Sequence, residues 1–185
     1  ITASVARTLR RPELNFISPA VLEAELGDND LLGNPQLEPE TAWGGDIGYE
    51  HRIGSGIVGV NVFYRDVSNL TELTNTLVEG SEGPGTFVLQ PQNVGDGKVY
   101  GIEFDVSTDL GFIGLPDTGI FGNFSYLDSE ITDFAGTRRF NDQSEYVFNV
   151  GLIQNLPSLG AAFGATYRKQ GRAFDRLVGE EIFTS

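Results

Sequence analysis

The chain has no cysteine and a single histidine, His51, among its 185 residues. Disulfides and thiolate metal sites are excluded, as are His/Cys metal clusters and Cys–His catalytic dyads. Cations are scarce too: 12 Lys and Arg stand against 26 Asp and Glu, a net charge of −14. Phosphate binding needs clustered Lys and Arg, so nucleic acid is not expected as a partner. No apolar run approaches the ~18 residues of a membrane-crossing helix. No basic-then-apolar signal segment opens the chain, and neither a fixed-period repeat nor a low-complexity tract is present.

What is present is a period of two. Trp43, Ile47, Tyr49 and Ile53 share one parity, and Ala42, Gly44, Asp46, Gly48, Glu50 and Arg52 share the other. After Gly54-Ser55-Gly56, residues Val58, Val60, Val62 and Tyr64 alternate with Gly59, Asn61 and Arg65. Successive strand side chains point to opposite faces, so each segment has one oily and one wet face. Seven such segments are predicted, at about 2–11, 41–53, 56–69, 96–109, 118–131, 145–155 and 159–172, with ends good to about 2–4 residues. Several exceed the ~9–11 residues that a membrane-crossing strand needs. The mean hydropathy of −0.13 suits a barrel, half of whose strand positions face water or a polar lumen. Phe121 and Leu127 break the alternation.

The connections alternate in length. Short turns at 54–56, 111–117 and 156–158 are built of Gly, Pro, Asp and Ser, and long polar ones occupy 12–40, 70–95 and 132–144. An antiparallel meander with every long loop at one end follows, as in outer-membrane barrels with tight periplasmic turns and long extracellular loops. Trp43, Tyr64, Tyr126 and Tyr167 would then form an aromatic belt near the outer rim. In the first long loop, residues 19–26 are read as a short helix with Ser18 as N-cap, Pro19 in its first position and Gly27 at its end. Both ends of the chain look cut, and the terminal 180–185 reads as part of a loop.

Arg11-Pro12-Glu13-Leu14, then Gly33-Asn34-Pro35-Gln36-Leu37-Glu38-Pro39-Glu40, Gly48-Tyr49-Glu50, Phe63-Tyr64-Arg65-Asp66-Val67, Asn93-Val94-Gly95 with Gly101-Ile102-Glu103, and Tyr126-Leu127-Asp128-Ser129-Glu130 occur in an order and spacing that resembles the barrel of TonB-dependent outer-membrane receptors. The resemblance covers nearly the whole chain. It implies an all-β fold: about seven long antiparallel strands of a transmembrane barrel of 22, here without the plug domain that such receptors carry inside. It implies location in the outer membrane of a Gram-negative cell, with lipid and lipopolysaccharide around the wall. It also implies active import of a scarce nutrient, foremost a ferric siderophore, driven by the TonB-ExbB-ExbD complex. Neither catalysis nor a resident cofactor is expected.

On the polar parity, Asp46, Glu50, Arg52, Arg65, Glu103, Asp105 and Arg168 are expected to face the lumen or a plug. Facing lipid, an Arg or Lys near the midplane would cost roughly 2–4 kcal/mol. Cargo contacts are expected from loops and outer strand ends, where Arg10, Arg11, Arg138, Arg139 and Arg172 map. Arginine forks suit the oxygens of an anionic chelate, and Arg138-Arg139 is the leading pair. Gly33, Asn34, Pro35, Leu37, Pro39 and Glu40 carry the family motif, with Pro39 and Glu40 expected to set loop geometry. His51, beside a short turn on the apolar parity, is read as an interfacial residue near the periplasmic headgroups. Asp28-Asn29-Asp30 lacks the glycine and final glutamate of a calcium loop, and Gly95-Asp96-Gly97-Lys98 lacks phosphate-loop spacing. Two rivals stand beside this reading: a passive barrel or surface adhesin, and a soluble β-sandwich carbohydrate-binding module.

Overall fold

The computed structural model describes residues 1–23, 28–133, 136–177 and 180–184. In chain order the elements are β1 (Thr2–Arg10), α1 (Leu14–Ile17), β2 (Val21–Leu22), β3 (Asp30–Leu32), β4 (Glu40–Ile53), β5 (Gly56–Glu79), β6 (Phe87–Leu110), β7 (Leu115–Asp133), β8 (Gly136–Arg138), β9 (Gln143–Ser144), β10 (Tyr146–Leu156), β11 (Ala161–Gln170), β12 (Ala173–Leu177) and β13 (Glu180–Thr184). The long strands form one antiparallel meander in the order β1-β4-β5-β6-β7-β10-β11. All seven expected strands are present. Among the described residues the sheet does not close, and β1 and β11 each keep one free edge.

Register sorts the side chains. Tyr49 pairs with Val60 and Val60 with Phe104, then Phe104 with Phe124 and Phe124 with Phe148, so one face is a continuous apolar sheet. It stays uncovered: Ile47, Phe104 and Phe163 are 64%, 45% and 56% exposed. Among the described residues, Ile131 and Pro91 are the large side chains that are fully buried. A sandwich would bury this face under a second sheet, so the soluble-module reading is overturned. Hydrocarbon is the solvent that accepts such a surface.

Trp43, Tyr64, Tyr126 and Tyr167 lie on that face toward the long-loop end, and Tyr100 pairs with Tyr64 and Tyr146 with Tyr126 in the same zone. At the opposite end, 3-10 turns at Gly111–Ile113 and Pro157–Leu159 close on Gly114 (φ 85°) and Gly160 (φ 60°), a left-handed backbone that glycine adopts without a Cβ penalty. There His51 stacks on Tyr49, ring centroids 6.3 Å apart and nearly parallel.

Three expectations need correction. The loop at 70–95 is a hairpin: β5 and β6 continue past the membrane zone to Glu79 and Phe87 through bulges between Val67 and Leu70, Leu70 and Thr71, and Asn75 and Glu79. Residues 19–22 are not helical, because Val21 and Leu22 pair with Leu32 and Leu31. The helical turn comes earlier, at Leu14–Ile17, and 24–27 lie outside the described residues. The terminal 180–184 is a strand paired with β12, where a loop was expected.

Candidate functional site: an outer cleft and the lumen wall

The first long loop is fastened to its neighbours through the motif residues. Asn34 donates its N–H to the Phe16 carbonyl (2.6 Å) and its amide to the Pro91 carbonyl (3.2 Å), while its Oδ1 accepts from Gln36 N–H (3.0 Å). Leu37 N–H returns to the Asn34 carbonyl at 3.2 Å, a turn for which Pro35 in its second position is pre-set. Gly33 must be glycine: a Cβ there would lie 1.9 Å from the Ser18 carbonyl oxygen. Asn93 works from the other side, accepting from Glu38 N–H (2.9 Å) and donating to the carbonyls of Glu38 (3.0 Å) and Asn69 (2.9 Å). Pro39 leads into β4, where Glu40 accepts from Thr71 N–H (2.8 Å) and pairs with Arg10 (3.5 Å). Higher up, β3 runs parallel to β6, pairing Asp30 with Val88 and Leu31 with Leu89. Asp30 is buried and accepts from the N–H (2.7 Å) and hydroxyl (2.8 Å) of Ser81, and Asn29 accepts from Phe87 N–H at 2.7 Å. The loop and the hairpin are thus one body.

The third loop joins them through Arg138. Its guanidinium, 8% exposed, pairs with Glu72 (2.5 Å) and Asp133 (2.8 Å) and donates to the Arg139 carbonyl (3.0 Å). Burial opposes its charge, but the hydrogen bonds it donates to Glu72 and Asp133 prevail and raise its pKa. Arg139 reaches the Leu127 carbonyl (2.7 Å), Glu145 (3.2 Å) and Asp128 (3.4 Å). Both arginines are committed to carboxylates of this chain. Arg11 and Arg172 are exposed at loop feet.

Between these fastened segments lies a cleft of about 420 Å³, lined by Arg10 and Phe16 on one side, Leu70 to Leu73 at the back, and Phe140, Asn141 and Asp142 on the other. A smaller cavity beside it adds Arg11, Glu13 and Glu40. Both open on the lumen-facing side of the outer mouth, since Arg10 shares a face with its register partner Glu40, and Phe140 covers Gly97 on that same face. Asp142 is exposed in left-handed backbone (φ 59°).

The seven lumen candidates all fall on the face opposite the apolar sheet. Asp46 pairs with Arg65 (2.6 Å) and accepts from Ser4 (3.0 Å). Arg65 also donates to the Gly45 carbonyl (3.0 Å) and lies across Gly44. Glu103 accepts from Asn61 at 3.4 Å, and Asp105 leans over Gly59, whose other neighbour is Glu50. Arg52 stands opposite Ile57, and Arg168 opposite Asn149. The rings of Phe63 and Phe121, on this wet face, lie flat over Gly101 and Gly151 in the neighbouring strands. Glycine opposite a ring gives it a surface to cover. That pairing across strands is not visible along one strand, where Phe121 only breaks the alternation.

A meander with one hydrocarbon-facing side and an outer layer of interlocked loops is matched, over residues 1–180, by the profile described as "TonB dependent receptor-like, beta-barrel". The chain belongs to this family. A curated relative, the iron-regulated outer membrane virulence protein of Vibrio cholerae serotype O1, is 24% identical over 176 residues, covering 91% of this chain and 26% of its own length. The chain therefore spans about a quarter of that relative. Among solved structures, a mutant of the ferric enterobactin receptor PfeA from Pseudomonas aeruginosa aligns with a TM-score of 0.61 at 21% identity, over 97% of this chain and 28% of that one. The copper transporter OprC aligns with a TM-score of 0.65 at 17% identity, over 90% and 23%. At such identities the structures establish the fold only, and their names carry different cargoes. Members of the family are receptors rather than enzymes, in the outer membrane of Gram-negative cells.

Proposed function

We propose that this chain is a stretch of barrel wall and outer loops in a receptor that imports a ferric siderophore with energy delivered by the TonB-ExbB-ExbD complex. The barrel is completed by further strands on the edges of β1 and β11, and a plug occupies the lumen against Asp46, Glu50, Arg52, Arg65, Glu103, Asp105 and Arg168. Lipid and lipopolysaccharide pack on the apolar face and its aromatic belt. Cargo enters through the cleft at the outer mouth. Of the five outer arginines, Arg10 is the one we place against the cargo, with Arg11 beside it. Arg138 and Arg139 hold the cleft's shape, and Arg172 stands at the foot of the next outer strands.

The observation that carries this reading is the cleft itself, since it is concave, part apolar and fixed by hydrogen-bonded loops. Ligand sites combine those traits. An adhesin would instead present its loops as a convex surface to another cell. The name of the Vibrio relative, an iron-regulated outer-membrane protein, supports iron as the element. Without cysteine and with one histidine at the far turn, this stretch offers an unchelated soft metal ion little.

The test is growth of an iron-starved strain lacking its own siderophore receptors, with the intact receptor supplied and the coupling complex present or deleted. Rescue that requires both supports the proposal. Rescue that survives deletion of the complex indicates a passive pore and sinks it.

A further inference from the structure

The outer mouth is electrostatically one-sided. Among the described residues, 12–23 and 28–40 hold six Asp and Glu and no Lys or Arg, and 70–95 hold three and none. Backbone pairing and the Asp30–Ser81 and Asn34–Pro91 bonds make these two segments one body, so their charges add in one place. Three nearby arginines are spent, together with Glu40 and Glu72 of those acids, while Arg11 is exposed beside the cleft. Arg10 pairs with Glu40, Arg138 with Glu72 and Asp133, and Arg139 with Asp128 and Glu145. Asp142 is exposed on the rim of the cleft, while Glu79 and Glu82 are exposed at the hairpin tip. A cleft under one sign of charge concentrates ligands of the other sign and repels its own.

From this we infer that the cargo is a neutral or cationic iron(III) chelate and not a polyanionic one. The inference rests on the siderophore reading above and narrows it. Three singly charged hydroxamates leave iron(III) neutral, and a pendant ammonium makes the chelate cationic. Three doubly charged catecholates leave it triply anionic. The cleft suits the first class in detail. Phe16, Phe140, Leu70 and Leu73 accept methylene or ring surface, the Arg10 guanidinium donates to carbonyl oxygens, and the Asp142 carboxylate receives an ammonium. Arg10, paired with Glu40 at 3.5 Å and itself largely exposed, keeps hydrogen-bond donors to offer while the carboxylate beside it weakens its pull on an anion.

The experiment uses the intact receptor in the outer membrane of cells lacking other siderophore receptors, and measures binding of radiolabelled iron. Two probes are compared, a ferric trihydroxamate with a pendant ammonium and a ferric tris-catecholate, each at low and high salt. The hydroxamate is expected to bind at least about tenfold more tightly, the low end of what charge focusing does to association, and to weaken as salt is added. A receptor carrying Glu79→Gln, Glu82→Gln and Asp142→Asn should reach the membrane at normal levels and show a smaller ratio between the probes. Tighter binding of the tris-catecholate, or an unchanged ratio in the triple variant, overturns the inference while leaving siderophore import standing. Binding of neither probe, with no iron-dependent growth, overturns both.

Discussion

The wall and the outer layer of this chain are held by different physics. In the wall, neighbouring strands share an apolar face that finds its solvent in hydrocarbon, and few side-chain bonds are needed. Above the belt that solvent ends, and specific polar contacts take over: asparagine amides on carbonyls, Asp30 on Ser81, Arg138 between two carboxylates. The wall tolerates any greasy residue of the right parity. The loops tolerate few changes at their fasteners.

That contrast can be broken at the loops first. Arg138→Met removes the cation that joins Glu72 to Asp133, and removing one partner of a buried pair costs about 3–5 kcal/mol. Hydrogen exchange should rise in both 70–79 and 136–145, and Arg138→Lys should recover part of the protection. Protection lost in only one segment would mean that Arg138 does not couple the two. The wall is tested by parity: Phe104→Arg should cost roughly 2–4 kcal/mol in denaturant titrations in lipid, whereas Asn61→Arg, on the facing strand but the wet side, should leave the midpoint in place. Equal costs would deny the assignment of faces. A milder loss is expected for Asp30→Ala, which strands the Ser81 donors and costs about 1–3 kcal/mol, read as faster proteolysis within 28–32. Smallest of all is Lys98→Gln. Its partner Glu130, at 3.1 Å, is half-exposed at the belt, and such pairs contribute little, so the melting temperature should not move.

The same contrast explains what could be read beforehand. Period-two patterning marks a strand only where one face meets an apolar medium, so 41–53 and 56–67 were plain. Beyond Val67 the strand continues through Leu70, Thr71, Leu73, Thr74, Asn75 and Thr76, where bulges interrupt the register and apolar residues no longer recur at every second position, so it reads as loop. The helix expected at 19–26 rested on the local Ser18-Pro19 signal, which lost to pairing of Val21 and Leu22 with a segment ten residues away. Arg138 and Arg139 map to an outer loop by sequence, and Asp133, Asp128 and Glu145 lie near them in the chain, but Glu72, 66 residues from Arg138, is brought in only by the fold. The motif at 33–40 was legible as a pattern, though its bonds to Pro91 and Asn93 were not.

Because Phe63 and Phe121 lean over glycines of the neighbouring strands, the polar face carries two of its largest side chains low against the backbone. In the receptor proposed above, whatever lies against this face would meet low plates in place of upright rings.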